Sequence, residues 1–405
     1  MRHRVSPRGV EYARVLAALG VFALVLLLVP GASGLDSAAA QEEEEEPEVQ
    51  APEPPPVPAE AWALADAESG RYLAGENADE QRPLASINKI MLALVVLESG
   101  TDLDEEIVIT ATAEEFVGTT FSNVGLIRGE VVTVRDLLVA ALVPSGTEAA
   151  YALAESLGGG NVDNFVNQMN QMAAELDLEN TSFADPAGLD DDENYSSPRD
   201  LAMIAREALE YPEFVEIVDT QEASISTQNR EIDFFTTNEL LNFYPPANGV
   251  KTGTSPEAGA SLVSSAESEG ESYIAVVLNA ESSEDRFSSS QALLDYGFRI
   301  FEQETLVSPE EVYGEREIPY RRGETVELAA AEEVSSTVSP ASEVERRVAD
   351  GGELPPEAEA GDRLGEVEVF VDGESVGSSP LVAVEGYEEA SFLNRIWYSV
   401  SGLLE

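Results

Sequence analysis

From Ile87 to Leu97 the chain is apolar nearly all round, and Gly100 lies just past the end of the run. A helix that is hydrophobic on every face has no side for water, so it must be buried, with other layers packed around it; the glycine supplies a natural stop. Pro83-Leu84-Ala85 leads in, and Ser86 stands at the N-terminus of this core helix. Lys89 is then an ammonium carried into a core. Only one other lysine, Lys251, occurs among 405 residues; elsewhere the cations are arginines. A guanidinium does not give up its proton in a protein, whereas a buried ammonium can. Both positions therefore ask for an amine. A genome poor in lysine codons explains the scarcity but not where the two survivors fall.

The only histidine is His3, and there is no cysteine. If the N-terminal segment is removed, the mature chain has neither side chain. That excludes Ser-His-Asp triads, Cys-His proteases and histidine-ligated zinc peptidases. Serine with lysine, or paired carboxylates, remain as common hydrolytic devices. Without disulfides, an extracellular protein must hold together by its core alone. The formal net charge of −56 argues against a nucleic-acid partner, because phosphate binding is dominated by Lys and Arg. Distant charges are screened beyond about 8 Å at physiological salt, so a local cationic pocket can still attract an anionic substrate. No metal and no cofactor is expected.

The expected organisation starts with an export signal over residues 1–40. Arg2, Arg4, Arg8 and Arg14 precede an apolar stretch from Val15 to Val29, broken by Pro30, which is short of the roughly 20 residues a membrane span needs. Ala32-Ser33-Gly34 and Ala38-Ala39-Ala40 are both plausible cleavage sites; an uncleaved anchor is the alternative. Residues 41–60 read as an acidic, proline-rich spacer. Ala61 to Ala67 and Arg71 to Ala74 read as a hairpin. Thr133-Val134-Arg135-Asp136 resembles a capping box, and Ser197-Pro198-Arg199-Asp200 starts another helix with proline at its first position. Lys251 to Thr254, Ser261 to Ala266 and Tyr273 to Leu278 read as strands, and Glu284 to Phe301 as a helix. Strands at both ends with helices between predict an α+β domain over residues 61–303: a mainly antiparallel sheet flanked by helices, with a helical lobe inserted. A small all-β domain follows over 304–387, with Asp372-Gly373 as a hairpin turn and Val334 to Pro356 as a long loop. Residues 388–405 predict an amphipathic helix, either anchored at a membrane or packed on its own protein.

Three short motifs carry chemistry. Ser86-x-x-Lys89 places a hydroxyl and an amine on one helical face; a desolvated lysine with a lowered pKa can serve as the base for the serine. The Lys251 ammonium and the Thr252 hydroxyl, in Lys251-Thr252-Gly253-Thr254, can bind a carboxylate, and Gly253 lets a ligand backbone approach the strand. Ser145-Gly146-Thr147 interrupts two helices, and its serine can relay a proton.

In this order and spacing the three motifs resemble those of the penicillin-recognising serine enzymes. The likeness is greatest to the low-molecular-weight penicillin-binding proteins of the serine-type D-alanyl-D-alanine carboxypeptidase family. Gly188-Leu189-Asp190, Tyr195-Ser196-Ser197-Pro198-Arg199-Asp200, Thr237-Asn238-Glu239-Leu240-Leu241 and Tyr296-Gly297-Phe298 share in it, over about residues 61–303 and more loosely in the β domain. The resemblance implies a β-lactamase/transpeptidase-like fold. It implies Ser86 as the acylated nucleophile, Lys89 as its base and Ser145 as an aid to proton transfer. Lys251, Thr252 and Arg199 would bind the substrate carboxylate, and the backbone N–H groups of Ser86 and Thr254 would form the oxyanion hole. The implied substrate is a peptidoglycan stem peptide ending in D-Ala-D-Ala, with β-lactams as inhibitors. Thr147 stands where the family usually carries asparagine, which bears on turnover more than on fold. A β-lactamase, and a catalytically silent penicillin- or wall-binding module, are the competing readings. A carboxylate-pair glycosidase ranks last because it leaves both lysine motifs unexplained.

Overall fold

The computed structural model describes residues 52–401. The expected export signal, its cleavage sites, His3 and most of the acidic spacer lie outside the described residues.

Five antiparallel strands form the central sheet, in the order Tyr72–Glu76, Ala59–Asp66, Glu271–Ala280, Gly259–Ser268, Ala247–Ser255. The first two strands and the last three are far apart in sequence, and helices fill the interval, as the pattern predicts. The strand Ala247–Ser255 is an edge: it pairs only with Gly259–Ser268, setting Lys251 opposite Val263 and Gly253 opposite Ser261. Between the two long strands Glu269 and Gly270 both have positive φ (55° and 93°), the two-residue turn whose twist matches a hairpin.

Side-chain alternation along the strands feeds two cores. Leu64, Leu262, Ala275 and Val277 pack with Leu293, Leu294 and Tyr296 of the helix Ser283–Ile300. Ala61, Val263, Ile274, Val276 and Leu278 join the larger core, which holds the apolar run read from the sequence. That run begins with a 3₁₀ turn, Ala85–Asn88, and continues as the α-helix Lys89–Glu98. It packs against the helices Val134–Leu142, Thr147–Leu157, Val162–Glu175 and Pro198–Leu209. Neighbours on all sides explain why no face of it is polar. The caps are those the sequence suggests: the Thr133 and Ser197 hydroxyls accept the N–H groups of Asp136 (3.1 Å) and Asp200 (3.2 Å).

The end of the spacer is docked rather than free. Ala59 already belongs to the first strand, Val57 packs against the second core, and the carbonyls of Pro52 and Pro58 accept bonds from the Tyr296 hydroxyl (2.8 Å) and the Glu281 N–H (3.1 Å). Proline lacks a donor but keeps its acceptor, which composition alone does not reveal.

The C-terminal region is all β up to its last helix. Its five-stranded sheet runs Val312–Glu317, Thr325–Ala330, Glu374–Ala383, Arg363–Val371, Val344–Asp350, and Glu302–Val307 pairs with Val334–Val338. Val326, Leu328, Val367, Val369, Val371 and Leu381 form its core. Asp372 and Gly373 take φ of 54° and 84°, as the hairpin signal predicts. The long loop expected from Val334 to Pro356 is corrected: it contains two strands. Val344–Asp350 is an edge strand exposed along almost its whole length, so it lacks the apolar alternation by which strands are recognised. Arg71, next to the central sheet, donates to the Thr337 carbonyl and pairs with Asp372 (2.6 Å), and the Thr337 hydroxyl donates to Asp66 (2.7 Å).

The last described element, the helix Phe392–Ser401, leaves Phe392, Leu393 and Trp397 largely exposed (75%, 75% and 64%). Most of its apolar face is therefore not packed on the protein. Among the described residues no helix is long and apolar enough to cross a membrane.

Candidate active site

The turn that carries Ser86 is held in a conformation side chains rarely adopt. Ala85 has φ +47°, the left-handed region that costs a residue with a Cβ. Two glycines hold it. At Gly188 (φ +82°) a Cβ would sit 1.7 Å from the Ala85 carbonyl oxygen; at Gly253 it would sit 2.7 Å from the Leu84 oxygen and 3.0 Å from Ile87 Cγ1. The reading of Gly253 as space for a ligand backbone is corrected: the protein's own serine turn fills that space. Ser86 itself stays partly accessible.

Lys89 is 1% exposed and donates to Ser86 Oγ (2.9 Å) and to the Ala187 carbonyl (3.1 Å). Burial lowers its pKa from 10.5 to about 8, against the opposing pull of Asp185 and Glu148. At that value a useful fraction is the free amine near neutral pH. The 185–189 segment that supplies the Ala187 carbonyl is organised by Asp185. Its carboxylate accepts the N–H groups of Ala187 (2.7 Å), Gly188 (2.8 Å) and Leu189 (2.9 Å) and the side-chain amide of Asn194. Burial outweighs these bonds and raises the Asp185 pKa. Asn88 closes the frame by donating to the Asp185 carbonyl (2.6 Å).

Lys251 is also 1% exposed, and its ammonium reaches the Thr252 carbonyl (3.1 Å). Burial lowers its pKa strongly, and the charges of Lys89 and Arg286 push the same way. The two scarce amines thus share one electrostatic environment. Thr237 ties the second and third motifs together. Its N–H donates to the Val143 carbonyl (3.1 Å), just before Pro144-Ser145, and its hydroxyl meets that of Thr252 (2.7 Å). Ser145 has φ +70° and is 3% exposed, and its Oγ has no hydrogen-bond partner among the described residues. Thr147 is equally buried and donates its N–H to the Ser122 carbonyl (2.8 Å).

Arg199 does not belong to this arrangement. It pairs with Asp79 (2.7 Å) and lies over the Tyr72 ring (3.9 Å to its centre). Tyr72 is on the strand at the opposite edge of the sheet from Lys251. The helix N-terminus that carries Arg199 points it to that far edge. A different arginine occupies the cleft. Arg286 is 8% exposed, and its Nη1 donates to Thr254 Oγ1 (2.8 Å) and the Gly253 carbonyl (3.2 Å). Sequence reading missed it. The available signal was its place on the inward stripe Arg286, Ser290, Leu293, Gly297 of the last helix, where a charge among buried positions needs a reason.

Known proteins resemble this chain in both its regions. Residues 48–282 match the family model for D-alanyl-D-alanine carboxypeptidase, and residues 301–389 match that for the penicillin-binding protein 5 C-terminal domain. The D-alanyl-D-alanine carboxypeptidase DacF of Bacillus subtilis is 30% identical over 82% of this chain and 86% of its own. The crystal structure of penicillin binding protein 5 from Haemophilus influenzae superposes with a TM-score of 0.68 at 29% identity, covering 83% of this chain and 99% of that one. That of the Streptomyces K15 DD-transpeptidase gives 0.58 at 36% identity, covering 61% and 99%.

Proposed function

The chain belongs to the D-alanyl-D-alanine carboxypeptidase family, which are serine hydrolases, and from that premise we propose that Ser86 removes the terminal D-alanine of a peptidoglycan stem peptide through an acyl-enzyme. The single observation that carries the assignment of roles is the 2.9 Å contact between Ser86 Oγ and a buried Lys89 whose pKa is brought down to about 8.

Lys89 takes the hydroxyl proton as Ser86 Oγ attacks the carbonyl of the penultimate D-alanine. The oxygen of the tetrahedral intermediate is received by the N–H groups of Ser86 and Thr254. The C–N bond then breaks, D-alanine leaves as the free amine with a proton delivered by way of Ser145, and water hydrolyses the ester. Lys251 and Thr252 receive the terminal carboxylate. Arg286, rather than Arg199, supports that pole, since it holds both Gly253 and Thr254. An arriving carboxylate would compensate the mutual repulsion of Lys251, Lys89 and Arg286. β-Lactams mimic the dipeptide and acylate the same oxygen.

Two measurements test the reading. Fluorescent penicillin followed by peptide mapping should place the adduct on Ser86. A peptide ending in D-Ala-D-Ala should lose one D-alanine. An adduct elsewhere would overturn the role of Ser86, rapid penicillin turnover would favour a β-lactamase, and binding without D-alanine release a silent module. The basic and then apolar N-terminal stretch supports export to the wall. The exposed apolar face of Phe392–Ser401 supports attachment to a membrane surface. Loss of vesicle co-sedimentation on truncation after Ala390 is the expected result.

A further inference from the structure

Glu148 is fully buried (0% exposed), and the mechanism above leaves it unused. It follows the second motif directly. One carboxylate oxygen, Oε1, accepts the N–H groups of Val124 (2.6 Å), Gly125 (2.8 Å) and Leu126 (3.3 Å). The other, Oε2, is buried with no hydrogen-bond partner among the described residues. It lies beside Gly146, where an added Cβ would come within 3.4 Å of it. An acid near a helix N-terminus is favourable at the surface, but that does not require burial with one oxygen left open, which costs free energy. Holding the loop needs only Oε1.

We propose that Glu148 is a positioning residue for the serine–lysine chemistry: Oε1 fastens the 124–126 loop to the second motif, and Oε2, buried and unclaimed beside Gly146, keeps a negative charge there that acts on Ser86 through Lys89. The proposal rests on the reading of Lys89 as base. Besides Glu148, the charged groups that bear on Lys89, directly or through Lys251, come from three elements. Asp185, on the loop before Gly188, is engaged by three backbone N–H groups and Asn194. Lys251, on the edge strand, opposes a second positive charge, and Arg286, on the last helix, acts on Lys251. Tyr151, one turn beyond Glu148, is a neutral phenol whose ionisation burial disfavours. Glu148 is thus the anion whose second oxygen no donor has claimed. Burial drives Lys89 toward the free amine, whereas Asp185 and Glu148 hold the proton on. Removing the Glu148 charge therefore lowers the pH at which Lys89 loses its proton.

The test is the rate of benzylpenicillin acylation against pH for the full chain and for Glu148→Gln and Glu148→Asp. Glutamine keeps a carbonyl oxygen for the three N–H groups but removes the charge. Its acid limb should move down by roughly half a pH unit or more. Aspartate keeps the charge, so its limb should stay while the maximal rate falls as the loop loosens. A glutamine limb at or above the unsubstituted position overturns the proposal, as does an aspartate limb displaced downward. The second result decides alone if Glu148→Gln does not fold. If the unsubstituted chain is not acylated on Ser86 at any pH, the proposed function fails instead, and the two failures are told apart.

Discussion

The serine–lysine cleft and the C-terminal β region use charge in opposite ways. In the β region, ion pairs such as Arg321–Glu324 (3.1 Å), Arg347–Glu345 (2.6 Å) and Arg363–Glu366 (3.0 Å) lie at the surface, where such pairs contribute little. In the cleft, Lys89 and Lys251 are buried, and among the described residues neither has a carboxylate within ion-pair distance. The backbones differ in the same sense. Side-chain-bearing residues take positive φ in turns of both regions, as at Glu269, Tyr320 and Asp372, but Ala85 and Ser145 take it in the serine turn and the second motif. The desolvated amines lie where chemistry needs them, and glycines and backbone acceptors hold them and the strained Ala85 turn in place.

The largest effect should come from the amine itself. Lys89→Arg keeps the charge and removes the base, so acylation by fluorescent penicillin should slow by roughly 10²- to 10⁴-fold. Arg347→Ala should leave that rate unchanged. Equal rates in the two variants would erase the contrast between the regions. Glycines sharpen it next. Gly188→Ala forces a Cβ into the Ala85 carbonyl at a positive φ and should destabilise by roughly 2–5 kcal/mol in urea unfolding. Gly314→Ala, where nothing lies within 4 Å, should be neutral or stabilising by about 0.5 kcal/mol.

Stability against pH gives the third test. Folded Lys89 loses its proton at about 8, and the unfolded chain keeps it to 10.5. Between those values the unfolded state binds more protons, so unfolding free energy rises with pH. The gain is on the order of 3 kcal/mol from this group, complete once pH passes the unfolded value and absent below the folded one. Denaturation midpoints across that window, relative to Lys89→Met, read it; a slope unchanged by the substitution would contradict a buried, titrating amine. The smallest effect belongs to the seam between the regions. Asp372→Asn weakens the pair with Arg71 while keeping an acceptor for the Glu343 N–H and a side chain that tolerates the positive φ, and should cost about 1 kcal/mol or less, without altering acylation.

Much of the framework is legible in the sequence. The all-apolar run announced a buried helix, and Thr133, Ser197 and Asp372-Gly373 announced their caps and turn, because these signals are local and read within a few residues. The edge strand Val344–Asp350 escaped notice because exposure on both faces removes its periodicity. Arg199 was misassigned to the cleft, and Arg286 overlooked, for one reason: both are arginines near the starts of helices, and only packing decides which edge of the sheet each helix faces.

By itself the sequence determined which groups are available to react: two lysines, a single histidine at position 3, no cysteine, and a hydroxyl three residues from one amine on a segment that must be buried. Composition and local spacing suffice for that, since they govern helix burial and the menu of bases. Tertiary structure decided what surrounds those groups. It brought Gly253 under the serine turn, Thr237 between two motifs, Arg286 onto the Lys251 strand and Glu148 into the interior. Each of these contacts joins residues remote in the chain, and its energy depends on solvent exclusion and distance, which exist only once the layers have closed on one another.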